Sequence, residues 1–223
     1  MKTSSAEDNQ AVKIKHAAGL CLLLAALSFA SDKGFNPPPA APPVTYPAHE
    51  THDEEKVTIA VDPFDTPDKA AAFQVRYSEL GFLPVRLIVG NDGDKPLMLD
   101  KARIQLVTGS NDKIEPATED DIYRRLARPE KATGRSKVQL PIPLPHDKNP
   151  IKKDARDEIS VALFRNLPVT PHSSNNGFLF FDVLGMKDPG AGAHLYISGL
   201  RAGSQELFYF DIPLKAADKA NGN

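Results

Sequence analysis

Cysteine and tryptophan are nearly missing from this chain. Among 223 residues there is one Cys, Cys21, and no Trp. Cys21 sits inside an N-terminal apolar run, so the remainder can form no disulfide. Burial and hydrogen bonding must hold it without cross-links. A lipidated cysteine ends its apolar run after a small residue, whereas Cys21 begins the run after Leu20. That position favours plain membership of the run over lipidation. No sign of charge dominates either: 27 Lys and Arg stand against 29 Asp and Glu, a formal net charge of −2. Nucleic-acid binders show a basic excess, so no nucleic-acid partner is expected. The balance does not fit an acidic disordered chain. The common catalytic motifs are also missing. No phosphate-binding G-x-x-x-x-G-K-[ST] and no G-x-S-x-G elbow occurs, and Gly190-Ala191-Gly192 fails G-x-G-x-x-G because position 195 is Leu.

What is present is ordinary globular composition, 41% hydrophobic and 25% charged, with 20 prolines, many of them near the N-terminus. Lys13 and Lys15 precede the apolar residues 17–30, and Ser28 and Ala30 place small side chains at −3 and −1 of a cleavage site. Positive, then apolar, then small is the pattern of a secretory signal peptide, here residues 1–30. The run is shorter than the roughly 20 residues of a membrane span. The expected address is therefore periplasmic or secreted. Contact with a membrane would come only through this segment, if it stayed uncleaved.

Residues 31–56 read as a linker. NPPPAAPPVTYP, residues 36–47, favours an extended polyproline II spacer because proline fixes φ and withholds its amide. At about 3.1 Å per residue it would reach on the order of 35 Å. The spacer reading is preferred to a ligand for an aromatic groove. His49, Glu50, Thr51, His52, Asp53, Glu54 and Glu55 follow. His49 and His52 are the candidate metal ligands, but the spacing matches no standard site, and an extended mobile segment would not fix ligand geometry. A solvated polar linker is the preferred reading, with no metal and no cofactor.

From residue 57 the period becomes two. Val57, Ile59 and Val61 alternate with polar or small residues. So do Phe73, Val75 and Tyr77, then Leu83, Val85, Leu87 and Val89, then Ala102, Ile104 and Leu106. Alternation of this kind predicts antiparallel strands with one face in the core and the other largely polar. Pro84 then marks a strand start or edge, and Asn91-Asp92-Gly93-Asp94 a reverse turn. Residues 171–185, PHSSNNGFLFFDVLG, organise the rest. Turn formers through Gly177 lead into Phe178, Leu179, Phe180 and Phe181, an unbroken apolar run that predicts a strand covered on both faces. Such a strand needs a layer on each side. At the C-terminal end Leu195 and Ile197, then Phe208, Phe210 and Ile212, are expected to oppose it. The polar tail, residues 216–223, is expected to fray.

The middle is helical. Thr118 before Glu119, Asp120 and Asp121 is an N-cap with acids in the first turn. Ile122 and Leu126 share a face, Arg124, Arg125 and Arg128 gather toward the end, and Pro129 stops the helix. A second helix is predicted over residues 152–166 with Ala155, Ile159, Ala162 and Leu163 as its apolar stripe. Between them lies the proline-rich loop, residues 141–150. The expected architecture is mainly β: an immunoglobulin-like antiparallel β-sandwich over residues 57–215 with a helical insertion near residues 118–166.

At PHSSNNGFLFFDV, followed by AGAHLYISGL and ELFYFDIPL, the chain resembles a group of exported bacterial β-sandwich proteins of unknown function. NDGDKPLMLDKARIQLVT and EDDIYRRLARP are similar to the same group. The resemblance spans residues 57–214 and implies export and a sandwich fold. It brings no catalytic residue and no ligand.

No constellation of residues reads as an active site. His172 beside Ser173 and Ser174 reads as a turn, since catalytic pairs are assembled in space rather than between chain neighbours. His194 opens a strand, where a half-buried hydrogen-bonding role is preferred. The leading expectation is a non-catalytic binding or assembly module of the cell envelope. Its contact region would be Tyr123, Arg124, Arg125 and Arg128 with the loop at residues 141–150, and its partner an envelope protein or a glycan. The alternative is an extracytoplasmic hydrolase or carbohydrate-acting enzyme with its site in the helical insertion.

Overall fold

The chain divides into two units, residues 1–32 and 33–223. The computed structural model describes residues 35–128 and 151–215, all within the second. The expected signal segment with Cys21, Pro129, the loop at residues 141–150 and the C-terminal tail lie outside the described residues.

The described chain is mainly β, with eleven strands in three antiparallel sheets and three helices. The strands are β1 (His49–His52), β2 (Val57–Pro63), β3 (Phe82–Asn91), β4 (Leu97–Met98), β5 (Arg103–Val107), β6 (Lys113–Ile114), β7 (Ser173–Asp182), β8 (His194–Ser198), β9 (Arg201–Ala202), β10 (Gln205–Glu206) and β11 (Phe210–Pro213). The helices are α1 (Pro67–Ala70), α2 (Glu119–Ala127) and α3 (Lys153–Ala162). The first sheet runs β1-β2-β3-β7, the second β11-β8-β5-β6, and a small third β10-β9-β4. This arrangement is consistent with a β-sandwich.

Strand alternation divides the first sheet into two faces. Val85 pairs with Leu179 and Leu83 with Phe181 on the inner face. Those side chains share one core with Ile104, Leu106, Leu195, Ile197, Phe210 and Ile212 of the second sheet. Phe178 and Phe180 point the other way, into a second core with Phe64, Phe73, Val75, Tyr77, Phe82, Ile122 and Ile159. The organising strand therefore has both faces covered, as its unbroken apolar run requires. Burying each such aromatic or aliphatic side chain stabilises by about 1.5–3 kcal/mol. The rings add edge-to-face contacts, Phe64 to Phe178 at 4.7 Å and Phe73 to Phe178 at 5.0 Å. β3, central in this sheet, is buried along its whole length rather than on one face. Pro84 falls near its start, where β2 has ended. Its carbonyl accepts from Phe64 N at 2.9 Å, and its ring nitrogen cannot return a bond, so the β2–β3 ladder stops there.

Several expectations give way to a different geometry. Residues 73–77 do not form a strand. Phe73, Val75 and Tyr77 do point inward, but no neighbouring strand bonds their backbone. The Glu158 carboxylate of α3 accepts from the Gln74 and Val75 amides at 2.6 and 3.2 Å, and a 3-10 turn, Tyr77–Leu80, follows. Ser173 to Gly177 are not the turn but the first half of β7, paired with β3 along all ten residues. The reversal sits before them, at His172, whose φ is +54°.

α2 begins as its sequence predicts. Thr118 Oγ1 accepts from Asp121 N, and the Asp121 carboxylate accepts from Thr118 N at 2.9 Å, a reciprocal capping box. α3 stops at Ala162, short of residue 166, because Leu163 turns extended. Phe164 N then donates to Phe178 O at 2.9 Å. Gly177 permits that approach: a Cβ there would lie 2.6 Å from Phe164 Cα. Ala117 N donates to Phe180 O at 2.7 Å, so two non-strand segments close the outer edge of β7.

The proline-rich stretch is not a free spacer. Pro37, Ala40, Pro43 and Tyr46 are half-buried at every third position, while Pro38, Pro39, Pro42 and Val44 between them are exposed. Three residues per turn is the period of polyproline II, so one edge of the strap faces the outer side of the first sheet. A short 3-10 turn, Pro43–Thr45, interrupts it. Phe35 stacks on Phe73 at 5.3 Å, Asn36 N donates to Ala72 O at 3.2 Å, and the buried Arg86 donates to Pro38 O at 2.6 Å. His49–His52 is likewise no linker but β1, laddered to β2.

Candidate functional site

The basic end of α2 is largely spoken for. Arg125 donates to Leu80 O at 2.7 Å, pairs with the Asp182 carboxylate and lies 5.0 Å over the Phe82 ring. Arg124 pairs with Asp121. Thr118 hydroxyl and amide bonds, and then Arg124, hold the Asp121 carboxyl below its ordinary range. Tyr123 donates to Glu119 Oε1 at 2.6 Å, and burial and that carboxylate push its pKa up to about 12. Arg128, at the C-cap, forms no ion pair among the described residues. A cleft of about 740 Å³ lies beside these arginines, but Glu115, Asp121 and Asp182 share its wall. A second, about 580 Å³, lies across the Pro116–Thr118 ridge, lined by Arg103, Glu119, Phe164 and Arg165. Of the four residues expected to form a contact patch, Arg125 ties α2 to the body, Tyr123 and Arg124 bond within α2, and Arg128 forms no ion pair among the described residues.

His49 and His52 do not converge. Three positions apart on an extended strand, their side chains leave opposite faces. His49 Nδ1 lies 2.5 Å from Tyr46 O. The His52 ring stacks on Phe210 at 3.9 Å, with Nε2 3.0 Å from Glu50 Oε1. The other Glu50 oxygen accepts from Asp211 N at 2.7 Å, and the Asp211 carboxylate pairs with His194 Nδ1. This series runs from β1, at one edge of the first sheet, to β11, at one edge of the second. It fastens that corner of the sandwich. Among the described residues no group of three His, Cys, Asp or Glu side chains could hold a metal ion, and no hydroxyl hydrogen-bonds to His194. His172, the other histidine weighed, is exposed and 3.4 Å from Asp94.

Glu158 is only 2% exposed. Burial drives its pKa above the ordinary carboxylate value, against the two amide bonds that stabilise its ionised form. Tyr77 is buried with no hydrogen-bond partner for its hydroxyl. Its pKa is driven far upward, first by burial and then by the Glu158 carboxylate. Enclosed as it is, this group acts as a latch between α3 and residues 73–77.

The residues that sequence reasoning misplaced are aromatic. Phe208 was expected in the core with Phe210, yet it is 76% exposed, and Tyr209 is 55% exposed. Leu207 takes the inward place, and β11 begins only at Phe210. The Tyr209 ring lies 5.2 Å from that of Tyr196 on β8. The result is an aromatic pair on the second sheet, with Phe208 exposed next to it in the chain. The signal was legible in Leu207-Phe208-Tyr209-Phe210: four large residues in succession cannot all turn to one face of a strand.

No helix among the described residues is long and apolar enough to cross a membrane. Comparison of the chain with protein-family models, with curated proteins and with solved structures returned no match.

Proposed function

We propose that the protein is a non-catalytic binding or assembly module of the cell envelope, and that its contact surface is the ledge formed by Phe208, Tyr209 and Tyr196. The exposure of Phe208 and Tyr209 carries this reading. Scattered exposed apolar residues are common, but adjacent exposed rings backed by a third form an anchor of the kind interfaces use. The finer fold assignment, an immunoglobulin-like topology, goes with this proposal. Export rests on Lys13, Lys15 and the apolar run ending at Ala30. Partners suited to exposed rings are an envelope protein or a glycan, since flat sugar faces and apolar side chains both stack on aromatics.

The test uses the purified protein on a glycan array and against extracted envelope proteins, beside a Phe208→Ser, Tyr209→Ser variant. Aromatic anchors contribute about 2 kcal/mol or more, so binding should fall roughly 30-fold or more. Equal binding by a folded variant would remove the ledge from the reading.

A further inference from the structure

We propose that residues 35–52, the strap and β1, form an exchangeable arm, and that in a dimer each copy lays its arm across the first sheet of the other. This stands apart from the aromatic ledge and would survive its failure.

Three observations carry it. The arm is held to the body by a set of contacts that a second copy reproduces without change. Phe35 sits against Phe73 and Phe178, Arg86 donates to Pro38 O, and β1 pairs with β2 from His49↔Ala60 to His52↔Val57. The body is shaped for it: a Cβ at Gly90 would lie 2.7 Å from Pro43 Cγ, so glycine there admits the strap.

A second copy would also supply the remaining body contacts, in which Asn36 N donates to Ala72 O, Asp211 N donates to Glu50 and His52 stacks on Phe210, while the arm's internal bonds would travel with it. Ala41 N donates to the Tyr46 hydroxyl at 3.1 Å, Thr45 Oγ1 donates to Pro42 O, and His52 stays with Glu50. Closed and exchanged forms therefore differ mainly at the hinge.

The hinge favours opening. Asp53, Glu54, Glu55 and Lys56 alone join β1 to β2. Lys56 holds φ at +55°, a left-handed conformation disfavoured for a residue with a Cβ. Extending the segment relieves that strain, and short strained hinges invite exchange. A second copy is the occupant because it carries the one segment seen to fit the groove.

The test uses the full chain with benzoylphenylalanine in place of Phe35. Isotopically light and heavy preparations are mixed and irradiated across the micromolar to millimolar range. Exchange predicts crosslinks joining light to heavy chains, from position 35 to the peptides containing Phe73 or Phe178, in a fraction that rises with concentration. Same-label crosslinks alone, at every concentration, would overturn the proposal. Crosslinks between copies at other sites would overturn it too, since they would report a different contact. Two hinge variants of the unlabelled chain give an independent reading by native mass spectrometry. Deleting Glu54 and Glu55 leaves too little chain to reverse and should drive the protein to dimer. Lys56→Gly removes the strain and should weaken the dimer about tenfold, because each dimer opens two hinges. Folded, monomeric deletion protein would refute the exchange.

Discussion

Replacing Glu158 with alanine should cost about 2–4 kcal/mol. The carboxylate is the acceptor for two backbone amides, Gln74 N and Val75 N, in the segment that carries Phe73, Val75 and Tyr77 into the second core. Alanine leaves both donors without that acceptor, and an unsatisfied buried group costs about 1–3 kcal/mol. A domain of this size has only about 5–15 kcal/mol in total. Glu158→Gln keeps the shape and one acceptor oxygen and should cost less, about 1–2 kcal/mol. The pH dependence has a definite sign. The folded pKa of Glu158 is raised from its ordinary 4.5. Its contribution is therefore complete below that value and is lost as pH rises through the folded one. Glutamine carries no such proton, so the advantage of the natural protein over Glu158→Gln should shrink as pH rises above the ordinary 4.5 and through the raised folded pKa. Urea unfolding followed by far-ultraviolet circular dichroism measures this; with no tryptophan, fluorescence is a poor probe. An alanine variant within about 0.5 kcal/mol of the natural protein would refute the latch. An advantage that grows with pH would refute the sign.

Gly177→Ala should destabilise by about 1–3 kcal/mol, because the added methyl meets the Phe164 backbone at 2.6 Å; a thermal melt equal to the natural protein's would show that α3 can withdraw freely. Thr118→Ala removes the N-cap and should cost about 1 kcal/mol in urea unfolding. Asp121, held low chiefly by Thr118, contributes above its unfolded pKa and loses that contribution as pH falls through the folded one. The stability gap between Thr118→Ala and the natural protein should therefore narrow in acid.

The elements legible in the sequence were those whose own residues set both conformation and facing. Phe178 to Phe181 had to be covered on both sides, and Thr118 with Asp121 closes its helix cap from within four residues. What escaped was decided by residues far along the chain. Phe73, Val75 and Tyr77 alternate like a strand, but the group that holds their backbone is Glu158, on a helix that follows much later. Asn175, Asn176 and Gly177 look like a turn until Arg86 is seen to donate to Asn176 Oδ1 and Phe164 to lie on Gly177. The proline-rich segment revealed its conformation but not its resting place, because polyproline II has no internal hydrogen bonds to show which side faces a partner. For the candidate site, the arginines of α2 were visible and their engagement with Asp182 and Leu80 was not. Strand alternation turns Phe208 inward only if it runs unbroken into β11, and the break between β10 and β11 frees that residue to face solvent.

The covering of β7 bears on how this protein fails. Phe178 to Phe181 is a run of four apolar residues with three aromatic rings, uncharged and without proline, the kind of segment that stacks into cross-β fibrils once its edge is bare. Among the described residues no neighbouring strand guards that edge, and backbone bonds from Phe164 and Ala117 close it. Both donors lie beside helices, α3 and α2, which can detach without dismantling the sheets. Damage to either helix would then reach beyond the helix itself. It would present a sticky aromatic edge on an otherwise folded molecule, and loss of solubility would precede loss of structure.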